Sequence, residues 1–206
     1  ILSNGQTIRG GDIGITGPNV NIGNDANIDA AGEAGGRFRI GGGFRGQDES
    51  IDNAENTTVE EGVQLDASAT GDGNAGQVIV WADQDTYFGA AASSNAVAGN
   101  GGLIEISGLD TLTMRGSVSA TSVEGRSGTV LFDPGDVSVG NNGTADIPNS
   151  IVNDTLQGGT SVLIFTESGD ITFENTGINN DRHDAIQWTN SLASFGAFAS
   201  GNIFVN

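Results

Sequence analysis

Gly101-Gly102-Leu103-Ile104-Glu105-Ile106 is one copy of a pattern that recurs along this chain of 206 residues. In each copy, apolar residues stand two and four positions after a glycine that itself follows a small residue. Successive side chains of a strand point to opposite faces, so the two apolar residues share one face. The five copies are Gly11 with Ile13 and Ile15, Gly36 with Phe38 and Ile40, Gly76 with Val78 and Val80, Gly102 with Ile104 and Ile106, and Gly128 with Val130 and Phe132.

The spacing of these copies predicts a β-solenoid. Their glycines lie 25, 40, 26 and 26 residues apart. Units that repeat at such a period bury their apolar face only by stacking on their neighbours. We therefore expect an all-β fold, a parallel β-helix with coils of about 25 residues. Val78, Ile104 and Val130 should form one internal stack.

A second element accompanies the glycine copies. It consists of an apolar or small residue, a spacer and a small residue, and its first positions lie 37, 26 and 27 residues apart. Because these intervals keep step with the glycines, each coil is predicted as strand, turn, strand, turn. The four copies are Ile28-Asp29-Ala30, Leu65-Asp66-Ala67, Ala91-Ala92-Ser93 and Val118-Ser119-Ala120.

The one long interval predicts a loop. The polar run 44–53 lacks strand alternation, so we expect an excursion from the solenoid near residues 44–56. Loops of this kind often carry binding residues, but they also tolerate insertions without a function.

The rhythm changes after Pro134, which cannot donate a ladder hydrogen bond. Strands are expected at 136–139, 161–165 and 170–173, and further coils are expected around Ile186 and Trp188 and around Ile203. A short helix is expected near 149–157, between Pro148 and the Gly158-Gly159 pair. The chain is thus predicted as a single solenoid over 1–206, with regular coils in 1–134 and less regular coils in 135–206. Its ends suggest a segment of a longer chain, or a processed mature one.

The charge balance excludes two classes of partner. The net charge is −19, with 26 acidic residues against seven arginines and no lysine. Such a surface repels nucleic acid and anionic lipid, so we expect neither nucleic-acid binding nor membrane insertion. Solubility of a repetitive surface explains the acidity, and a diffuse attraction for Ca²⁺ is the lesser alternative. Cysteine is absent, which removes disulfides and thiolate metal sites.

The sequence contains few candidates for chemistry. His183 is the sole histidine and lies in a polar run, so no catalytic triad is expected. The run 71–76 only partly matches a calcium-binding glycine repeat, and a turn is the preferred reading. We therefore expect no cofactor and no catalytic residue. Asn-x-Thr sequons begin at Asn56, Asn142 and Asn153, and they leave glycosylation open.

Five residues are candidates for surface recognition. Trp81 follows the strand on the side opposite Val78 and Val80, so it should face outward as an exposed aromatic side chain, unless a neighbouring loop covers it. Two carboxylates two residues apart would share a face if their segment is extended, and two more lie in the predicted loop. The set is Trp81, Asp83, Asp85, Asp48 and Glu49.

The ordered glycine-anchored stretches resemble a known family. Residues 35–42, 76–83, 101–108 and 127–134, followed by 158–173, resemble the filamentous-haemagglutinin-like large exoproteins, the passengers of two-partner secretion. The resemblance covers about 35–206. It implies a right-handed parallel β-helix, secreted to the cell surface, that serves as a non-catalytic structural or adhesive fibre. The partners it implies are glycans or proteins of a host or other surface. The alternative is a polysaccharide-active β-helix enzyme, a lyase or hydrolase.

The two ends carry a further hypothesis. A solenoid ends in unpaired backbone groups that soluble monomers cover or blunt with charge. Here both ends are apolar, at Ile1 and Leu2 and at Ile203, Phe204 and Val205. Either the solenoid continues in the same polypeptide, or identical subunits stack end to end, which gives open filaments when the contact does not close.

Overall fold

The computed structural model of this chain describes residues 9–23, 25–140, 143, 145–174 and 186–206. Its elements are short parallel strands and one α-helix. In chain order they are β1 (Asp12–Ile15), β2 (Asn19–Ile22), β3 (Asn27–Asp29), β4 (Arg37–Ile40), β5 (Asn56–Val59), β6 (Gln64–Asp66), β7 (Gln77–Val80), β8 (Asp85–Phe88), β9 (Ala91–Ser93), β10 (Leu103–Ile106), β11 (Thr111–Met114), β12 (Ser117–Ser119), β13 (Thr129–Phe132), β14 (Val137–Gly140), β15 (Ile147–Pro148), α1 (Asn149–Gln157), β16 (Ser161–Thr166), β17 (Ile171–Phe173), β18 (Phe195–Ala199) and β19 (Ile203–Val205).

These strands stack into four parallel sheets, which confirms the parallel β-helix. Sheet 1 has the order β1-β4-β7-β10-β13-β16-β18, and it holds every predicted glycine-anchored strand. Sheet 2 is β2-β5-β8-β11, sheet 3 is β3-β6-β9-β12, and sheet 4 is β15-β14-β17-β19. One hydrophobic core runs between the sheets from Ile13 to Ile171.

The predicted internal stack is confirmed. Ile104 lies opposite Val78 on one side and Val130 on the other. All three side chains are fully buried, as is Phe38 in the preceding coil. Each turn of the chain therefore contributes the same kind of residue to the same row of the core.

The prediction of two strands per coil is wrong, because each regular coil has a third strand, in sheet 2. The inward row of sheet 2 contains Thr57 and Thr86, which are 0% and 2% exposed. Each hydroxyl donates to a backbone carbonyl at 2.7 Å, at Trp81 and Ser107 respectively. These hydrogen bonds allow a polar residue in the core. The same residues interrupt the apolar alternation that would reveal the strand in the sequence.

The register of sheet 3 also corrects one prediction. Leu65 pairs with Ala92, and Val118 pairs with Ala92 on the other side, so Ala92 and not Ala91 occupies the inward row. Adjacent alanines gave no means of choosing between the two positions from the sequence.

The coils after Pro134 are longer, as the change of rhythm indicated. Thr129 pairs with Ser161, 32 residues further on, whereas the regular coils repeat at 26. The helix α1 is confirmed at its predicted place and packs against β12, β15 and β16. The predicted strands β14, β16, β17 and β19 are confirmed, whereas β18 was not predicted. No helix in the described ranges is long and apolar enough to cross a membrane.

Candidate functional site

The predicted excursion is a loop that covers the outer face of sheet 1. It runs over residues 41–55 and is called the covering loop here; Asn56, which the prediction included, already begins β5. The loop leaves β4 at Gly41, whose φ of 70° favours glycine. A Cβ on Gly41 would lie 2.1 Å from Thr57 Oγ1 and 2.2 Å from the Trp81 carbonyl oxygen. The chain therefore turns outward where only a glycine fits.

Beneath the covering loop, outward-pointing residues of three coils are as buried as the core. One row follows the strand register through Ile79, Glu105 and Leu131. The second row consists of the residues directly after β7, β10 and β13. Exposed fractions are 2% for Ile79, 0% for Glu105, 5% for Leu131, 4% for Trp81, 0% for Ser107 and 4% for Asp133. These positions would be solvated on a bare sheet, so the loop creates a second buried layer.

Trp81 faces outward as predicted, but it is covered by a loop and is not exposed. Its indole does point away from the coil interior, but the covering loop lies directly on it. A Cβ on Gly46 would lie 2.5 to 2.7 Å from indole atoms. The indole Nε1 donates to Asp83 Oδ1 at 2.9 Å, and Asn53 Nδ2 donates to the same oxygen at 2.9 Å. Trp81 thus anchors the loop.

Arg45, in a short 3₁₀ turn (Phe44–Gly46), holds the covering loop to the next coils. Its φ of 55° is uncommon for a residue other than glycine. In this conformation its backbone N–H donates to both oxygens of Glu105, at 3.0 and 3.1 Å. The strained backbone is therefore tied to a buried carboxyl group on β10.

The Arg45 side chain extends the contact across two further coils. Its Nε donates to Asp133 Oδ2 at 2.7 Å, and an Nη2 hydrogen bond reaches Glu167. The guanidinium carbon also lies 4.5 Å from the centre of the Phe165 ring, within the range of a cation–π contact. One arginine from the second described coil thus binds groups at the ends of β13 and β16. We call Arg45, Glu105, Asp133 and Glu167 the arginine cluster.

Burial controls the protonation of this cluster. It raises the pKa of Glu105 to about 8, and the nearby Asp133 charge adds to the rise. The hydrogen bonds from Arg45 and Ser107 lower this pKa, but they offset only part of the loss of water. Burial also raises the pKa of Asp133, against the opposing effect of the Arg45 charge. Glu105 therefore has the acidity of a proton donor near neutral pH, but its side chain contacts no solvent while the loop covers it.

The four predicted surface carboxylates lie in two places: Asp48 and Glu49 are on the covering loop, whereas Asp83 and Asp85 follow β7. Asp48 lies in the covering loop, where its Oδ2 accepts from Arg39 Nη1 at 3.2 Å. Two hydrogen bonds from Ser50, through its hydroxyl and its backbone N–H, lower the pKa of Asp48. Glu49 is exposed on the same loop.

Asp83 and Asp85 do not form a pair on one strand face. Asp83 lies in a bend and binds the loop through Asn53, whereas Asp85 begins β8 and accepts from the Thr111 hydroxyl at 2.5 Å. The condition under which they would share a face is therefore not met.

The predicted stacking residues divide between the two ends. Ile203 and Phe204 are each 45% exposed and Val205 is 78% exposed, on the edge strand β19. Ile1 and Leu2 lie outside the described residues, as do His183 and the sequon residues Asn142 and Thr144.

The run 71–76 forms bends between β6 and β7. Within the described parts of the chain, no three His, Cys, Asp or Glu side chains are grouped so that they could hold a metal ion. No protein-family model matches this chain, and no curated protein does.

Sequence reasoning missed the arginine cluster. Glu105 occupies an outward strand position, where a carboxylate is ordinarily solvated, and its three partners come from distant parts of the chain. The only signal was the 40-residue interval, with an arginine set among glycines at Gly42-Gly43-Phe44-Arg45-Gly46.

Proposed function

We propose that this chain is a non-catalytic segment of a secreted, cell-surface fibre that serves a structural or adhesive role. The observation that carries the proposal is the seven-stranded parallel sheet 1, in which one core row continues from coil to coil. Such a stack produces length and lateral surface, which is what a fibre requires. The resemblance to filamentous-haemagglutinin-like exoproteins supports the same role.

The arginine cluster supports this proposal by adding a lateral tie between coils. In a solenoid each coil contacts mainly its neighbours, so coils can separate locally. Arg45 binds Glu105 on β10 and also Asp133 and Glu167, which directly follow β13 and β16, the next two strands of sheet 1. A fibre under load benefits from contacts that cross several coils.

Adhesion is tested with the purified 206-residue chain coated on beads. We expect saturable attachment to a defined glycan or surface protein when the beads are presented to arrays of neutral glycans, anionic glycans and extracellular proteins. The double variant Asp83→Ala/Asp85→Ala should weaken attachment, because it alters the exposed surface beside the covering loop. Glu124→Ala removes an exposed charge on a different corner and is the control. Absence of saturable attachment, or equal loss in both variants, would contradict an adhesive role.

One observation favours the alternative, a polysaccharide-active enzyme. Glu105 and Asp133 belong to successive coils of sheet 1, and burial raises the pKa of each carboxyl group. Raised carboxyl pKa values suit a general acid. Neutral and anionic polysaccharides incubated with the chain should yield no new reducing ends and no unsaturated uronates. Turnover that Asp133→Asn abolishes and Glu124→Gln preserves would replace the fibre proposal with the enzyme.

Stacking of coils at β18 and β19 belongs to the fibre proposal. Phe204 is exposed on β19, and parallel pairing would continue on the free edge of that strand. We propose that an identical subunit can stack on this edge. Negative-stain microscopy of the 206-residue chain tests the stacking: unbranched filaments that Phe204→Asp abolishes support it, whereas monodisperse monomers at high concentration contradict it.

A further inference from the structure

The covering loop contains glycines on both sides of Arg45. Three consecutive glycines, Gly41, Gly42 and Gly43, precede Arg45, and Gly46 follows it with a φ of 64°. Glycine gives the backbone at both sides of Arg45 access to conformations that other residues avoid. These glycines allow the segment around Arg45 to leave the sheet while the ends of the loop keep their bonds, from the Gly41 N–H to the Ile15 carbonyl and from the Asp83 N–H to the Ala54 carbonyl.

The charges are unbalanced where Arg45 meets the sheet. Three carboxyl groups, those of Glu105, Asp133 and Glu167, surround one guanidinium group, that of Arg45. The guanidinium binds Asp133 and Glu167. Glu105 receives only neutral donors, namely the Arg45 backbone N–H and the Ser107 hydroxyl. A charge on Glu105 would thus be buried with no cation hydrogen-bonded to it, and the nearby Arg45 charge offsets only part of the loss of water.

We propose that the covering loop is a pH-dependent latch, closed over sheet 1 while Glu105 carries a proton and released as Glu105 ionises. Release uncovers Trp81 and Glu105, which the loop contacts directly and which are 4% and 0% exposed in the closed state. The latch thereby controls whether the Trp81 indole is exposed to water.

The direction follows from proton binding. In the closed state the pKa of Glu105 is about 8, and water restores its ordinary value of 4.5 once the loop is open. Between these two values the closed state holds a proton that the open state releases. The ratio of open to closed therefore rises about tenfold for each pH unit and is constant above about pH 8. Burial raises the pKa of Asp133 as well, which acts in the same direction.

The other charged groups at the loop do not reverse this direction. Hydrogen bonds from Ser50 lower the pKa of Asp48, so Asp48 stays ionised beside Arg39. The Asp133 hydrogen bond and charge raise the pKa of Arg45 although burial opposes it, so Arg45 stays charged. Asp83 meets the loop through Asn53, and Glu167 meets it through Arg45.

Amide hydrogen exchange at Arg45 tests the latch in the full 206-residue chain. The Arg45 N–H is bonded to Glu105 only in the closed state, so its protection factor, corrected for intrinsic exchange, reports the opening equilibrium even when opening is rare. We expect this factor to fall about tenfold per pH unit from about pH 5 to about pH 8, and then to level off. The Trp81 N–H, which donates to the Ile40 carbonyl within the sheet ladder, should keep its protection.

Two variants separate the latch from general loosening. Glu105→Gln keeps an acceptor for the Arg45 N–H but cannot ionise, so the pH dependence of its protection should fall to the part that Asp133 alone contributes. Glu49→Gln removes an exposed charge of the same loop and should behave as the unmodified chain does. A pH-independent protection factor in the unmodified chain overturns the latch, and that result needs no variant to fold. The same pH dependence in Glu105→Gln would also overturn it.

Discussion

The two faces of sheet 1 are buried by different means. On the inward face, Val78, Ile104 and Val130 repeat one chemical type, and two other sheets of the same period cover them. On the outward face, Ile79 and Leu131 flank Glu105 in the strand register, and a loop that occurs once lies over Glu105 and Trp81. The inward face is therefore a property of the repeat, whereas the outward face depends on one departure from it. Substitutions on each face test this difference.

The largest effect is expected on the inward face. Ile104→Asp places a charge without a partner between Val78 and Val130, where no group in the row can compensate it. We expect a loss of more than about 4 kcal/mol in the free energy of unfolding, which prevents folding or leaves a fraction of the coils. Circular dichroism and urea denaturation measure it. Ile104→Val is the matched variant and should cost only about 1 kcal/mol.

If the Ile104→Asp variant folded and then unfolded at the same urea concentration as the unmodified chain, this row would not be the core.

The next effect belongs to the outward face. Arg45→Ala removes the guanidinium from Asp133, which is 4% exposed, and leaves a buried carboxyl group without its cation. We expect a loss of about 3 kcal/mol by urea denaturation, since removing one partner of a buried ion pair costs about that much. Arg45→Gly should lose about 1 kcal/mol less, because glycine accepts the φ of 55°.

Arg126 is exposed and is the control position. An Arg126→Ala loss as large as that of Arg45→Ala would contradict a specific role for the arginine cluster.

These expectations show which parts of the molecule the sequence could predict. The stack through Ile104 was predictable because the same residue type returns at each coil. Sheet 2 was not predictable, because its inward row contains Thr57 and Thr86. Their hydroxyl groups form hydrogen bonds inside the core, so these polar residues interrupt the apolar pattern. The helix α1 was predictable from its flanking Pro148 and Gly158.

The arginine cluster was beyond prediction for a different reason. Arg45 and Asp133 are 88 residues apart in the chain, and their contact depends on where the covering loop folds. Trp81 shows the same limit: strand alternation correctly placed its side chain outside the coil, but alternation cannot say what lies over it. Local pattern determines direction, and burial of an outward side chain requires a tertiary contact.

A smaller effect is expected where the covering loop meets the indole ring. Gly46→Ala places a methyl group against Trp81 and forces alanine into a φ of 64°. We expect a loss of about 2 kcal/mol together with increased acrylamide quenching of tryptophan fluorescence, measured in a Trp188→Phe background. Gly143→Ala is the control, because a Cβ at Gly143 meets nothing within 4 Å.

If Gly46→Ala and Gly143→Ala proved equally mild, the loop would not be packed on Trp81.

The last comparison is between one hydroxyl group under the covering loop and one on an exposed outward surface, and the exposed one should give the smallest effect. Ser107 lies under the covering loop, 0% exposed, and its Oγ accepts the Asp133 N–H at 3.1 Å. Thr111 is exposed on sheet 2, where its hydroxyl donates to Asp85 at 2.5 Å. Ser107→Ala leaves a buried N–H without an acceptor and should cost about 2 kcal/mol. Thr111→Val should change the free energy of unfolding by less than about 0.5 kcal/mol, because water replaces the lost bond at Asp85.

The difference between these two variants is the sharpest measure of what the covering loop contributes, since each removes one hydroxyl from an outward position. If urea denaturation gave equal losses, water would reach Ser107 as freely as it reaches Thr111. The outward face of sheet 1 would then be an ordinary solvated surface. Its burial could not be the basis of the contacts that Arg45 makes across several coils, or of the latch.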